Sequence, residues 1–119
     1  MITWLKAEEQ HQHKNGGGWI ANTATVEDSV YIGPDAQVYG NARVFGDAWV
    51  LGDAWVYGVA WVYGNAQVFG DARVFGDARA YGNAQVFGDA RVYGNAQVYG
   101  DARVFGDARV YGIAQVCFE

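Results

Sequence analysis

The stretch VYGNARVFGDAW, residues 38–49, decides the fold of this chain. Its six-residue pattern is Val, an aromatic residue, Gly, Asp or Asn, Ala, and a longer side chain such as Arg, Gln or Trp. The pattern continues almost without interruption to Val116, and every sixth residue from Gly40 to Gly112 is glycine. A fixed short period predicts a repeat architecture in which each repeat is one small structural unit.

Within each repeat, valine and alanine alternate with polar or aromatic side chains. Alternate side chains of a β-strand point to opposite faces, so the Val and Ala positions are expected to share one face. The Gly-Asp and Gly-Asn pairs are typical of turns, because glycine tolerates positive φ and Asx side chains bond nearby backbone groups. A helix would need apolar residues three and four apart. Each repeat is therefore predicted to be a short strand followed by a bend.

Six residues cannot bury their own apolar face, but stacked coils can share one continuous core of Val and Ala. Ile20, Val26 and Ile32 precede Val38 at the same spacing, so the repeat begins before the glycine pattern does. The sequence thus predicts an all-β fold, a β-solenoid over residues 19–119. Residues 1–18 are expected to form an N-terminal tail or cap that covers the open edge of the first coil.

Composition and charge argue against several classes of partner. The formal net charge is −5, which disfavours nucleic acid or an anionic membrane as the main partner. The single cysteine, Cys117, excludes an intrachain disulfide framework. The chain has no apolar run of about 18 residues and no signal-peptide pattern. We therefore expect a cytoplasmic protein.

The two histidines, His11 and His13, both lie in the N-terminal segment. A His-x-His pair can bind a metal ion, since imidazole is a common ligand. In a polar segment such a pair is more often solvated, so His11 and His13 are weak candidates for ligands. The sequence predicts no metal site and no cofactor.

The repeats resemble those of a known superfamily. Residues 32–36, IGPDA, and the Val-x-Gly-x-Ala units resemble the hexapeptide repeat of left-handed parallel β-helix proteins. Residues 18–24, GWIANTA, resemble the opening of its γ-carbonic-anhydrase-like and acyltransferase-like members, and the YGNARV form is similar to bacterial and phage hexapeptide-repeat transferase-like proteins. The resemblance implies three hexads per triangular coil, about five and a half left-handed coils, and often a homotrimer. It does not fix an activity, because one fold hosts many functions.

With three hexads per coil, residues eighteen apart lie above one another on the outer surface. Aromatic side chains are expected to form three ladders along the axis, which stabilise the sheets through cross-strand contacts. The ladders are Tyr39, Tyr57, Phe75, Tyr93 and Tyr111; Phe45, Tyr63, Tyr81 and Tyr99; and Leu51, Phe69, Phe87 and Phe105. Apolar ladders on an outer surface also favour an oligomer.

Turn residues form rows of the same kind. The acids Asp35, Asp53, Asp71, Asp89 and Asp107 are expected in one row, about 5 Å apart. Most Asp residues of the later repeats are followed two positions on by Arg, which is expected to pair with the acid and offset its charge. Such a row could instead bind Ca²⁺, but the Arg partners argue against that alternative.

One coil departs from the pattern. Trp49, Trp55 and Trp61 occupy the outward position of three successive hexads, while Asp47 and Asp53 there lack an Arg partner. We consider three roles for this surface. It is a protein interface, a sugar-stacking site, or a local cation–π arrangement in which Trp61 lies between Arg43 and Arg79 of the adjacent coils.

No catalytic residue is predicted. Acyltransferases of the resembled superfamily use a His base near a subunit interface, and its carbonic-anhydrase-like members bind zinc through three His. This chain has no His after His13, and Cys117 has no evident base beside it. The favoured hypothesis is a non-catalytic structural or interaction solenoid that forms a homo-oligomer or binds a protein partner. The alternative is a divergent or truncated acyl-CoA-dependent acyltransferase-like protein, and a weaker third idea is end-to-end assembly through the uncapped last strand.

Overall fold

Most of the six-residue repeats fold as a strand of two residues followed by a turn at Gly and the residue after it. The computed structural model describes residues 1–118 and measures 40 × 24 × 21 Å along its principal axes. It contains one short 3-10 helix, Ala7–Glu9, and eighteen strands. The strands are β1 (Gln10–Gln12), β2 (Trp19–Ala21), β3 (Thr25–Val26), β4 (Tyr31–Ile32), β5 (Gln37–Val38), β6 (Arg43–Val44), β7 (Trp49–Val50), β8 (Trp55–Val56), β9 (Trp61–Val62), β10 (Gln67–Val68), β11 (Arg73–Val74), β12 (Arg79–Ala80), β13 (Gln85–Val86), β14 (Arg91–Val92), β15 (Gln97–Gly100), β16 (Arg103–Val104), β17 (Arg109–Val110) and β18 (Gln115–Phe118).

Three parallel sheets run along the axis of the solenoid. From β2 to β15 each strand pairs with the strand three places later, so that Gln67 lies beside Gln85 and Val68 beside Val86. The first sheet orders as β1-β2-β5-β8-β11-β14-β17, the second as β3-β6-β9-β12-β15-β18, and the third as β4-β7-β10-β13-β16. Strands β2 to β18 therefore make between five and six coils of three strands. The predicted all-β solenoid is confirmed, and its left-handed winding stays a prediction.

The interior of the solenoid is the continuous Val and Ala core that the period predicts. The inward positions from Ile32 to Val104 are buried, and most of them have no exposed surface. Ala80 takes the place of valine once and lies between Val62 and Val98 of the adjacent coils. Because strand side chains eighteen residues apart lie in register, every coil contributes the same layer to the core.

Backbone hydrogen bonds join each coil to the next. The amides of Asp71, Arg73 and Phe75 donate to carbonyl oxygens in the following coil at 2.8, 3.0 and 2.9 Å. Glycine is required where the chain turns: Gly76 has φ +66°, and a Cβ there would lie 3.0 Å from the amide nitrogen of Gly94 in the next coil. A side chain at this position would meet both backbone strain and the neighbouring turn.

Residues 1–18 pack on the first coil. Strand β1 pairs antiparallel with β2, and Ile2 is fully buried. The side chain of Gln10 is also buried, where its oxygen accepts a hydrogen bond from the Ile2 amide at 2.8 Å. Lys14 forms an exposed ion pair with Asp28 at 2.8 Å, which lowers the pKa of that carboxyl. The domain boundary at residue 18 stays a prediction.

The last described coil is less covered than the others. Val110 and Val116 are half-buried, and Ala108 and Ala114 are exposed although they occupy inward positions. No strand within residues 1–118 pairs with the outer edges of β16, β17 and β18. Within the same residues no helix has the length and apolar character needed to cross a membrane.

Gly76→Ala tests the close approach of the coils. We expect it to lower the free energy of unfolding by about 2 kcal/mol, since the new Cβ adds a backbone clash to the strain of positive φ. The matched control is Gly106→Ala, because Gly106 has φ +64° but no atom lies within 4 Å of the place that its Cβ would take. The control is expected to lose about 1 kcal/mol in urea unfolding, from strain alone. Equal losses in the two variants would contradict the stacked-turn geometry.

Candidate interaction surface at the tryptophan coil

Three tryptophans begin three successive strands. Trp49 begins β7, Trp55 begins β8 and Trp61 begins β9, and these strands belong to three different sheets. Each face of the solenoid therefore carries one tryptophan at the same level, as the three-hexad arrangement implies. We call residues 49–61 the tryptophan coil.

Trp61 lies between two arginines. The parallel register places it beside Arg43 in the preceding coil and Arg79 in the following coil. The guanidinium carbons lie 5.6 Å and 4.5 Å from the ring centroid, respectively. The ring is half-buried as a result. The sequence predicted that Trp61 lies between these two arginines, and that placement is confirmed, while the role of the tryptophan surface stays a prediction.

Trp55 also has neighbours on both sides. The guanidinium of Arg73 lies 4.3 Å from its ring centroid, which is the shortest of the three cation–π contacts described. On the other side Trp4 approaches it edge-on with ring centroids 6.1 Å apart, and Trp4 also contacts Tyr39 at 4.9 Å. The eighteen-residue spacing of Trp55 and Arg73 was a signal that sequence reasoning missed. Nothing in the repeat pattern indicated Trp4.

Trp49 is the most exposed of the three tryptophans, with 47% of its surface accessible. Its ring is tilted by 55° against Tyr31, with centroids 6.3 Å apart. A groove of 520 Å³ beside it is lined by Asn15, Tyr31 and Leu51 as well as Trp49. Asp47 is exposed but does not line this groove, so the structure does not unite Asp47 and Trp49 in one recess.

Asp53 and Trp55 do share a groove. It has a volume of 460 Å³ and runs across four coils. We call it the Asp/Arg groove, and its lining residues are Asp53, Trp55, Asp71, Arg73, Asp89, Arg91, Asp107 and Arg109. The prediction that each Asp pairs with its local Arg is wrong in one respect: within residues 1–118 the only ion pair is that of Lys14 and Asp28. The Arg73 side chain lies over the Trp55 ring instead.

The repeat itself has relatives. A family model described as YdcK beta solenoid repeat matches residues 36–52, 66–82, 84–100 and 96–112, which together make up more than half of the chain. The chain belongs to this YdcK beta-solenoid repeat family. No curated protein and no solved structure matches the chain. The matched segments leave out residues 53–65, which contain Trp55 and Trp61, as well as residues 19–35 at the start of the solenoid.

The aromatic ladders predicted for the outer surface are present. Neighbouring rings stack almost in parallel, with centroids 4.7 Å apart for Tyr39 and Tyr57 and 5.3 Å apart for Tyr93 and Tyr111. Burial raises the pKa of the Tyr39 hydroxyl, with a smaller contribution from Tyr57, while Arg73 opposes the change. Burial likewise raises the pKa of Tyr63. Both shifts favour the neutral phenol at these two positions of the YdcK-type solenoid.

The two histidine rings form hydrogen bonds with different groups. His11 Nδ1 lies 2.6 Å from the side-chain oxygen of Asn22, and the buried His13 places Nε2 2.7 Å from the carbonyl oxygen of Val30. Within residues 1–118 no group of three or more His, Cys, Asp or Glu side chains is arranged to hold a metal ion. Cys117 has a free, exposed thiol at the last coil.

A double-mutant cycle with Trp61→Leu and Arg79→Gln tests the cation–π contact. We expect a coupling energy of about 0.5–1 kcal/mol in urea unfolding, because the contact is half-buried. The matched control pairs Arg79→Gln with Trp49→Leu, whose ring lies on a different face. The control cycle is expected to be additive. A coupling that is equally large in both cycles would show that the stability change is not specific to the Arg79 and Trp61 contact.

Proposed function

We propose that this YdcK-type solenoid is a non-catalytic structural or interaction protein of bacterial or phage type, and that it associates with copies of itself. The observation that carries the proposal is the axial repetition of its surface. Each aromatic ladder presents rings at steps of 4.7 to 5.3 Å from coil to coil. Repeat proteins use such extended surfaces for binding, whereas catalysis needs one local constellation of groups.

The contacts of the outward side chains support a structural role. Arg43, Arg73 and Arg79 lie against tryptophan rings. The hydroxyl of Tyr81 donates to the side-chain oxygen of Gln97 at 3.1 Å. These contacts join side chains of neighbouring coils. They stabilise the stack of coils, as a rigid scaffold requires.

Exposed apolar side chains support self-association. Trp49 is 47% exposed on the tryptophan coil, and Phe105, Ile113 and Phe118 are exposed near the last coil. Apolar surface of this kind is a common feature of association sites. A trimer, as in the resembled superfamily, is one closed form that such association can take. A cytoplasmic location belongs to the same proposal.

The acyltransferase-like alternative receives less support. An acyltransferase of this kind would need a histidine as its base. His11 is hydrogen-bonded at the surface, and His13 is buried and hydrogen-bonded to Val30. A general base must reach the proton that it abstracts. We therefore retain this activity as an outcome of the test below.

Light scattering after size-exclusion chromatography, together with calorimetry, tests the proposal. We expect a mass that rises with protein concentration to a defined multiple of 13.0 kDa. We also expect no heat on titration with acetyl-CoA at about 1 mM, a concentration that detects even weak binding. A mass of one chain at every concentration would overturn self-association. Saturable heat with acetyl-CoA that His11→Ala or His13→Ala abolishes would favour the acyltransferase-like alternative.

A further inference from the structure

One face of the solenoid is charged in a way that the other two are not. On the sheet β2-β5-β8-β11-β14-β17, the turn before each strand from β5 onward holds Asp, and the last three strands begin with Arg. The column of acids is Asp35, Asp53, Asp71, Asp89 and Asp107, and the column of bases is Arg73, Arg91 and Arg109. The same positions on the other faces hold several Asn and Gln pairs, such as Asn65 with Gln67 and Asn95 with Gln97. We call this surface the charged face.

The two columns are available to an outside partner. All the acids of the column except Asp35, and all three bases, line the same Asp/Arg groove, and these acids are exposed. Arg109 is exposed, and Arg91 is half-buried along the sheet. Within residues 1–118 none of these acids forms an ion pair with an arginine. The charges are therefore not neutralised by contact inside the chain.

We propose that the charged face binds a second copy of this chain, with the two solenoid axes parallel and a two-fold axis running along them. The proposal rests on the self-association proposed above and names the surface and the orientation. An Asp column beside an Arg column is self-complementary under this symmetry. The two-fold axis places the Asp column of each copy opposite the Arg column of the other copy, at the same height along the axis. Asp89 of one copy then faces Arg91 of the other.

The opposite orientation is disfavoured by the same columns. If the second copy were turned end for end on this face, the two-fold axis would run across the columns, and Asp would face Asp. Rows of like charge directly opposite one another are destabilising. The charge pattern thus selects parallel axes, whatever the detailed fit of the side chains.

The dimer is expected to be weak. The Asp/Arg groove covers four coils, about 15 Å of the axis at the usual strand spacing, on a solenoid 24 Å across. Such a patch buries about 350 Å² per copy, well below the roughly 800 Å² of a standard interface. Trp4 lies over Tyr39 and Trp55 at the first-coil end of the face and limits its extension in that direction. We therefore expect a reversible dimer at high protein concentration.

Charge-changed variants test the face. Arg91→Glu with Arg109→Glu makes the groove acidic, and Asp89→Arg with Asp107→Arg makes it basic. Each variant alone is expected to dimerise at least about tenfold more weakly than the unchanged chain in sedimentation equilibrium, because like charges now meet. An equimolar mixture of the two is expected to recover dimers. Arg73 is left in place so that its contact with Trp55 is kept.

A column exchange tests the orientation. The exchanged chain carries Asp89→Arg, Asp107→Arg, Arg91→Asp and Arg109→Asp together, so its net charge is unchanged. With parallel axes it dimerises with itself but not with the unchanged chain, as measured by energy transfer between dyes on Cys117. Mixed dimers in place of the two homodimers would overturn the parallel arrangement.

Two controls separate the possible failures. Asp101→Arg with Arg103→Asp makes the same kind of exchange on another face, and it is expected to leave dimerisation unchanged. If the unchanged chain associates but the charged-face variants associate equally well, the charged face is not the interface, while self-association stands. If the unchanged chain is monomeric up to about 1 mM, self-association and the charged-face dimer both fail. Circular dichroism and thermal unfolding of each variant confirm that the fold is kept.

Discussion

One geometric constraint governs this structure: the chain must climb by one strand spacing, about 4.8 Å, for every eighteen residues. Only then can the inward side chains of successive coils lie over one another. Only then, too, can a backbone amide donate a hydrogen bond to a carbonyl oxygen in the next coil, as the Phe75 amide does to Val92. The glycine turn is what permits the climb, because the backbone of Gly76 approaches that of Gly94 too closely for a side chain. A strict six-residue period follows from these two requirements.

The outer surface repeats with the same spacing of eighteen residues per coil. Each outward side chain lies beside the one eighteen residues later, so a side-chain type that recurs every eighteen residues forms a column. Stacked rings such as Tyr39 and Tyr57 stabilise the sheets, while columns of Asp and Arg create a groove with two lines of charge. The tryptophan coil interrupts these columns at one level, and it takes its arginine partners from the coils on either side.

Most of the fold could be predicted from the sequence because the period alone fixes which residues share a face. The Val and Ala core, the positive φ of the glycines, the aromatic ladders and the position of Trp61 between Arg43 and Arg79 all follow from counting residues. The position of Trp4 over Trp55 could not be predicted, since residues 1–18 lie outside the repeat and no spacing relates them to a face. Contact ion pairs between Asp and Arg were expected from their two-residue separation, but Arg73 has a nearer partner in the tryptophan ring of the adjacent coil.

The most direct test of this account is the set of methyl contacts in a nuclear Overhauser spectrum of the valine-labelled protein. The stacked coils predict contacts between valines eighteen residues apart on one face, such as Val56 with Val74 and Val74 with Val92. They predict the strongest backbone contacts in parallel register between the same strands. Antiparallel backbone contacts between successive strands, such as β10 with β11 in a hairpin, would contradict the solenoid and every surface column derived from it.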